Sequence, residues 1–227
     1  MIRVCATGLV LLCLSPAACS SPTEPSVLLL ANAVDPNDVN AVSAFHSCQG
    51  HPYPQQNATN SAKNYFWPTS VNFNTNTVIK LFAACDGTAD QSSQDKSADQ
   101  QVRGQTLHLY CDHSSTRLKY FHVNFDARVL GQHVQAGALL GYASLLSSGQ
   151  SSSTQWQYSS NFDVAVSEGT DDNTQDYFSK LSASAFAAWS ARGLSSASRT
   201  TRADNPTCAS YNATFSAPDV IFFNPAR

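Results

Sequence analysis

A chain of 227 residues with 13 lysines and arginines against 16 aspartates and glutamates carries a formal charge of only −3 and shows no basic cluster, which excludes the footprint of a nucleic-acid binder. Only 13% of the residues are charged while Ser, Asn, Gln and Thr are abundant, a composition that suits an exported β protein with polar loops. Once an N-terminal address segment is set aside, about 200 residues remain, enough for one domain with its own core.

The address segment comes first. Arg3 precedes the apolar run Val4 to Leu14, and the small residues Ser15 to Ala18 end at Cys19. This is the anatomy of a signal peptide over residues 1–18. The run is shorter than the ~20 apolar residues that span a bilayer, and no later segment reaches that length. Leu14-Ser-Pro-Ala-Ala-Cys19 also resembles a bacterial lipobox, although Pro16 stands where an aliphatic residue is usual. Lipid attachment at Cys19 and plain cleavage near Ala18 both remain open, so contact with a membrane is expected only through such a lipid. Residues 19–35 are expected as a tether and 36–227 as a single domain.

Of the seven cysteines, Cys5 and Cys13 lie in the signal and Cys19 at its end, leaving Cys48, Cys85, Cys111 and Cys208. An even number in an oxidising compartment predicts two disulfides, with three pairings open. No two of them form a Cys-x-x-Cys pair, so a thiolate metal site is not expected.

Four segments alternate apolar and polar residues as half-buried strands do: Val78–Ala84, Gln105–Tyr110, Arg117–Val123 and Asn161–Val166. Asp86 to Arg103 and the serine-rich stretch Leu146 to Thr154 are expected as exposed loops. Phe178, Leu181, Ala185 and Trp189 then recur at helical spacing ahead of Gly193, predicting one helix from Asp176 to Arg192. Near the C-terminus Pro206, Pro218 and Pro225 surround Val220–Phe223, and Cys208 is expected to staple this tail to the body.

The informative segment is Tyr120-Phe-His122-Val followed by Arg128-Val-Leu-Gly131-Gln-His-Val134-Gln-Ala-Gly137-Ala-Leu-Leu-Gly141. It resembles the signature of the lysostaphin (LytM-type) peptidoglycan peptidases, a Tyr-x-His-Leu strand followed by Val-x-Gly-x-x-Val-x-x-Gly-x-x-Ile-Gly. Val78 to Gly87 resembles the family's Val-x-Ala-x-x-Asp-Gly strand and turn, and Asn161 to Val166 falls where its His-Leu-His-Phe-Glu-Val strand lies. The resemblance covers residues 78–166. It implies a mainly β antiparallel fold with a C-terminal helix and long loops. Gly131 and Gly137 suit turns with positive φ, and Val129, Val134, Leu139 and Leu140 are expected in the core.

The resemblance also supplies a test of the site. In the family one zinc is held by a His-x-x-x-Asp motif and by the second histidine of the His-x-His strand, leaving one position open for water. His122 matches a family histidine that stabilises the tetrahedral intermediate. Asn161 and Asp163 share a strand face at the two His-x-His positions. Asn64 and Pro68 take the places of the His-x-x-x-Asp pair, so the groove positions read Asn64, Asn161 and Asp163 rather than ligands. The expectation is therefore a degenerate, non-catalytic envelope protein without a cofactor, binding peptidoglycan or an envelope protein as a monomer, either as a periplasmic or outer-surface lipoprotein or in secreted form.

Two alternatives are carried. One is an active zinc metalloendopeptidase using His51, Asp163 and His122, with His113 as a further donor; the other is a structural secreted protein without a groove. His46, His108, His113 and His133 are otherwise expected as structural or solvated, and Trp67, Trp156 and Trp189 as core or loop anchors. The sequons at Asn57 and Asn212 matter only in a eukaryotic source.

Overall fold

The computed structural model describes residues 28–96, 102–146 and 160–223. Eleven strands form one sheet among them: β1 (Val39–Ser43), β2 (Asn64–Pro68), β3 (Lys80–Phe82), β4 (Gly87–Lys96), β5 (Val102–Cys111), β6 (Thr116–Phe125), β7 (Gln132–Val134), β8 (Leu139–Ala143), β9 (Phe162–Glu168), β10 (Thr174–Gln175) and β11 (Val220–Phe222). The main path runs β11-β1-β2-β9-β6-β5-β4-β7, with β8 bridging β6 to β3 and β10 beside β9. Every pairing of named strands is antiparallel.

The segments 105–110 and 117–123 lie in β5 and β6, 161–166 enters β9 at Phe162, and of 78–84 only Lys80–Phe82 is strand, as β3. Leu107, Leu109, Leu118, Tyr120, Phe162, Val164 and Val166 are all buried in one core cluster. Phe66 stacks on Phe162 at 5.1 Å between ring centres, and Tyr177, Phe178 and Trp189 surround that pair. Trp189 is thus a core anchor, and Trp67 is buried on the other side against Tyr65 and Phe215. Trp156 and all but the first residue of the Leu146–Thr154 stretch lie outside the described residues.

Several expectations need correcting. Within the expected loop Asp86 to Arg103, residues 87–96 and 102–103 are strand, β4 pairing with β5 from Gly87↔Cys111 to Lys96↔Val102, and 97–101 lie outside the described residues. The side chains of β4 are mostly polar, so backbone ladder bonds rather than an apolar face hold it. The expected single helix is two, α1 (Tyr177–Lys180) and α2 (Ala183–Ala191), broken where Leu181 turns extended. Leu29 forces the break, since its N–H donates to Lys180 O and its carbonyl accepts from Ser182 N. Ser182 then caps α2 through Ala185 N.

The same contact shows that the expected tether ends earlier than residue 35. Leu29, Ala33 and Val34 are fully buried, Ala33 N donates to the Tyr177 hydroxyl, and Trp189 Nε1 donates to Asn32 Oδ1. Gly131 and Gly137 do take positive φ, 71° and 84°. Leu140 is buried, but its neighbour Leu139 is 43% exposed, because successive residues of β8 face opposite ways.

Two disulfides settle the pairing left open by sequence. Cys85–Cys111 ties the start of β4 to the end of β5, and Cys48–Cys208 staples the C-terminal segment to the loop between β1 and β2. No helix among the described residues is long and apolar enough to cross a membrane.

Asp176 precedes α1 in a buried position beside Thr200, whose hydroxyl lies 2.6 Å from Asp176 Oδ2. Burial pushes its carboxyl up to about 6. A folded-state value above the unfolded 3.8 means that the native chain holds this proton more tightly. The resulting stabilisation is complete below pH 4 and is lost as pH rises to about 6, a change of up to about 3 kcal/mol. Asp176→Asn should flatten this part of the profile. Urea midpoints of both proteins between pH 4 and 7 check it, and parallel profiles would count against the assignment.

Candidate functional site: a lysine among the expected metal donors

The second face of the sheet holds the site. On β2 and the residue before it, Asn64 and Phe66 point into the core, which leaves Lys63, Tyr65 and Trp67 to the opposite face. On β9, Phe162 and Val164 enter the core and Asp163 faces the other way. Register brings the strands together, pairing Tyr65 and Phe121 with Asp163 from either side.

His122 arrives by a local irregularity. Between Gln105↔Val123 and Leu107↔Tyr120 the β6 strand holds one residue more than β5, a β-bulge. His122 takes φ of 59°, and its carbonyl accepts from Ser144 N at 2.6 Å. Tyr120 and Val123 remain in the core. Phe121 and His122 therefore both serve the site face, which regular alternation forbids. A non-glycine residue in the left-handed region costs on the order of 1 kcal/mol, the kind of strain that collects at functional positions.

His51 comes from the loop between β1 and β2. Gly50 has φ of 74°, and a Cβ there would fall 1.9 Å from Tyr65 Cζ, so only glycine lets the chain pass over that ring. Asn212 clamps both backbone groups of Gly50, accepting from its N–H at 2.7 Å and donating to its carbonyl at 3.0 Å. The Cys48–Cys208 disulfide and the Cys48 N–H donated to Asp219 hold the rest of the turn. The amide of the Asn212 sequon is thus engaged inside the fold.

At the centre stands a residue that the resemblance did not single out. The Lys63 ammonium forms an ion pair with Asp163 Oδ2 and lies 3.1 Å from His51 Nε2. His122 Nε2 lies 3.3 Å from Asp163 Oδ1. Aromatic rings close the cage, with Lys63 Nζ 4.2 Å from the Phe121 ring centre, 4.8 Å from Tyr65 and 5.1 Å from Tyr53. The side chains of Lys63 and Asp163 are 1% and 0% exposed, so this is a buried ion pair.

Electrostatics fixes the protonation of the group. Burial alone would drive both partners neutral, but each stabilises the other's charge. Asp163 is held below the usual carboxylate range, and Lys63 above the usual amine value. His51 Nδ1 lies 2.9 Å from the Pro52 carbonyl, which can only accept, so Nδ1 carries the proton and Nε2 offers its lone pair to Lys63. Burial and the adjacent ammonium keep this imidazole neutral by lowering its pKa. Burial pushes the Tyr53 phenol up to about 12.

Three of the residues weighed as donors meet the same ion pair, His51 at its Lys63 end and His122 at Asp163. Asn64 does not: it is buried on the core side, donating to Ser43 O at 3.1 Å and accepting from Tyr177 N at 3.1 Å. Asn161 is buried just before β9, two residues from Asp163. His113 lies outside the cluster in the β5–β6 turn at φ of 52°, and His133 pairs with Asp112 at 2.6 Å on the surface. The missed residue is Lys63. Its signal was a charge flanking an otherwise apolar strand, together with a carboxylate, Asp163, that needs a cation once buried.

These side chains do not fit zinc. A metal ion shared by His51 and Asp163 needs the space and the lone pairs that the Lys63 ammonium already takes, and two cations in contact repel. Among the described residues no three His, Cys, Asp or Glu side chains are grouped to hold a metal.

No protein-family model matches the chain, and no curated protein matches it. Several solved structures, lysostaphin among them, are similar to it. Lysostaphin from Staphylococcus simulans is 15% identical over 70% of this chain and 56% of its own, with a TM-score of 0.46. Csd3 from Helicobacter pylori is 14% identical over 69% and 34%, with a TM-score of 0.41. The deep-sea M23 metalloprotease pseudoalterin is 16% identical over 70% and 77%, with a TM-score of 0.40. The chain spans 49% and 56% of two lysostaphin chains and 90% of the lysostaphin catalytic domain alone.

Proposed function

We propose that this chain is an exported cell-envelope protein built on a lysostaphin-type scaffold whose metal centre has been replaced by a lysine, and that it binds peptidoglycan without cleaving it. The observation that carries this reading is the Lys63 ammonium held by Asp163 and His51 in a cage of three aromatic rings. An ammonium can neutralise Asp163, but it has no vacant coordination position. It cannot lower the pKa of a bound water or polarise an amide carbonyl as a metal would. What remains on this face is the bulge that presents His122 and the turn that presents His51, with Asp163 standing where the family has a histidine.

Two disulfides fit an oxidising compartment, in keeping with export. Elemental analysis of protein purified without chelator should find no stoichiometric zinc, and the protein should be retained on purified sacculi that it leaves intact. One zinc per chain, together with peptide cleavage abolished by chelation, would overturn the non-catalytic part. Failure to be retained on sacculi while an envelope protein is captured would replace peptidoglycan as the partner.

A further inference from the structure

Beyond Phe121 the same face of β6 presents Lys119 and then Arg117, placed opposite Ala165 and Ser167 of β9. Both of those small residues are buried beside the two long cations. On the other flank Lys119 faces His108 and Arg117 faces Tyr110, with the guanidinium 5.6 Å from the Tyr110 ring centre. Beside Arg117 is a concavity whose lining residues include Tyr110, Ser115 and Ser167.

Both cations converge on one carboxylate. Arg117 Nη2 pairs with Asp171 Oδ1, and Lys119 Nζ lies 2.8 Å from Asp171 Oδ2. Asp171 is 49% exposed, whereas the cations are 20% and 15% exposed. It sits in the turn between β9 and β10, which is closed by its own bonds between Glu168 and Asn173 and anchored by Gly169 N to Ser115 O. Arg117 Nε is buried and has no hydrogen-bond partner among the described residues. Asp171 thus uses only one edge of a guanidinium fork built to take a carboxylate through two parallel N–H bonds.

We propose that Arg117 and Lys119 form a carboxylate-binding subsite, occupied in the free protein by Asp171 and taken over by the free carboxylate of a bound peptide. This rests on the reading of the chain as a peptidoglycan-binding protein. It narrows the ligand to a peptide that carries an unamidated carboxyl group, and it makes the turn of residues 168–173 a tethered competitor. Burial and the two cations lower the His108 pKa to about 4, so this imidazole adds no charge beside the pair.

The test uses the full chain, its Asp171→Asn variant, and Asp171→Asn combined with Arg117→Gln and Lys119→Gln. Each is titrated with N-acetyl-alanyl-alanine as the free acid and as the C-terminal amide, and each is applied to purified sacculi. Removing an exposed competing pair should tighten binding of the free acid by about fivefold in Asp171→Asn. The amide should bind none of the proteins measurably, and the triple variant should lose about tenfold or more of that affinity for the acid. Equal binding of acid and amide by Asp171→Asn, or no gain over the parent chain, overturns the subsite. Discrimination of acid from amide without retention on sacculi keeps the subsite and removes peptidoglycan as the ligand. Retention unchanged in the triple variant removes the subsite and keeps the broader reading.

Discussion

Lys63→Met is expected to destabilise the protein by about 3–5 kcal/mol, because it strips the counter-charge from a carboxylate that has no access to water. Asp163→Asn should cost a similar amount for the converse reason, a buried ammonium left beside the neutral His51 and three rings. The double variant should be far less destabilised than the sum of the two, since neither charge remains to be compensated. Denaturant midpoints of the four proteins give the coupling energy directly. A double variant that adds the two losses would mean that the pair contributes no mutual stabilisation, and the cluster would then be only a packing site.

The pair also sets the edges of a pH window. Asp163 has a depressed folded-state pKa, so its stabilisation is present above the unfolded value of 3.8 and is lost as pH falls through the folded value. Lys63 is the reverse case. Its folded pKa lies above 10.5, so its contribution is complete below 10.5 and is lost as pH rises through the higher value. Between those limits the ion pair is at full strength. The Asp176 titration between pH 4 and 6 is superimposed on this plateau with the opposite slope to that of Asp163.

Where periodicity carries the signal, the sequence is legible. The alternation in residues 105–110, 117–123 and 161–166 gives the strands that build the floor of the site, and the glycines at 131 and 137 adopt the positive φ their spacing suggests. The β4 strand is invisible for a physical reason: its stability comes from pairing with β5, and ladder bonds leave no pattern of side chains. The break between α1 and α2 comes from Leu29, more than 150 residues away, which no local pattern encodes.

The site itself was half legible. Asp163 and His122 follow from motif position, but assigning Asn64 to the groove chose the wrong face of β2, and a shift of one residue in a strand reverses every side chain. His51 stands 12 residues before Lys63 in the chain. The loop that carries it doubles back, with Ser47 and Tyr53 both bridged to Ser61, so sequence distance overstates spatial distance.

If the lysine has replaced a metal, the substitution should be reversible in kind, and Lys63→Asp should bind zinc where the parent chain does not. The change removes the ammonium and places a second carboxylate near Asp163, with His51 and His122 already turned to this point. Two carboxylates in a buried site repel, so the metal-free variant should be markedly less stable than the parent. Zinc would relieve that repulsion, and binding energy then appears as folding energy. The expected result is about one zinc per chain for Lys63→Asp, a melting temperature that rises on adding zinc and falls on chelation, and no response of the parent chain to either. Because His51 is positioned through Gly50 and Asn212, Lys63→Asp combined with Asn212→Ala should bind the metal more weakly than Lys63→Asp alone. A Lys63→Asp protein that folds and still ignores zinc would show that the donors have drifted beyond reach of a common ion. The cluster would then have to be understood as a lysine–carboxylate core in its own right, with no metal centre in its ancestry.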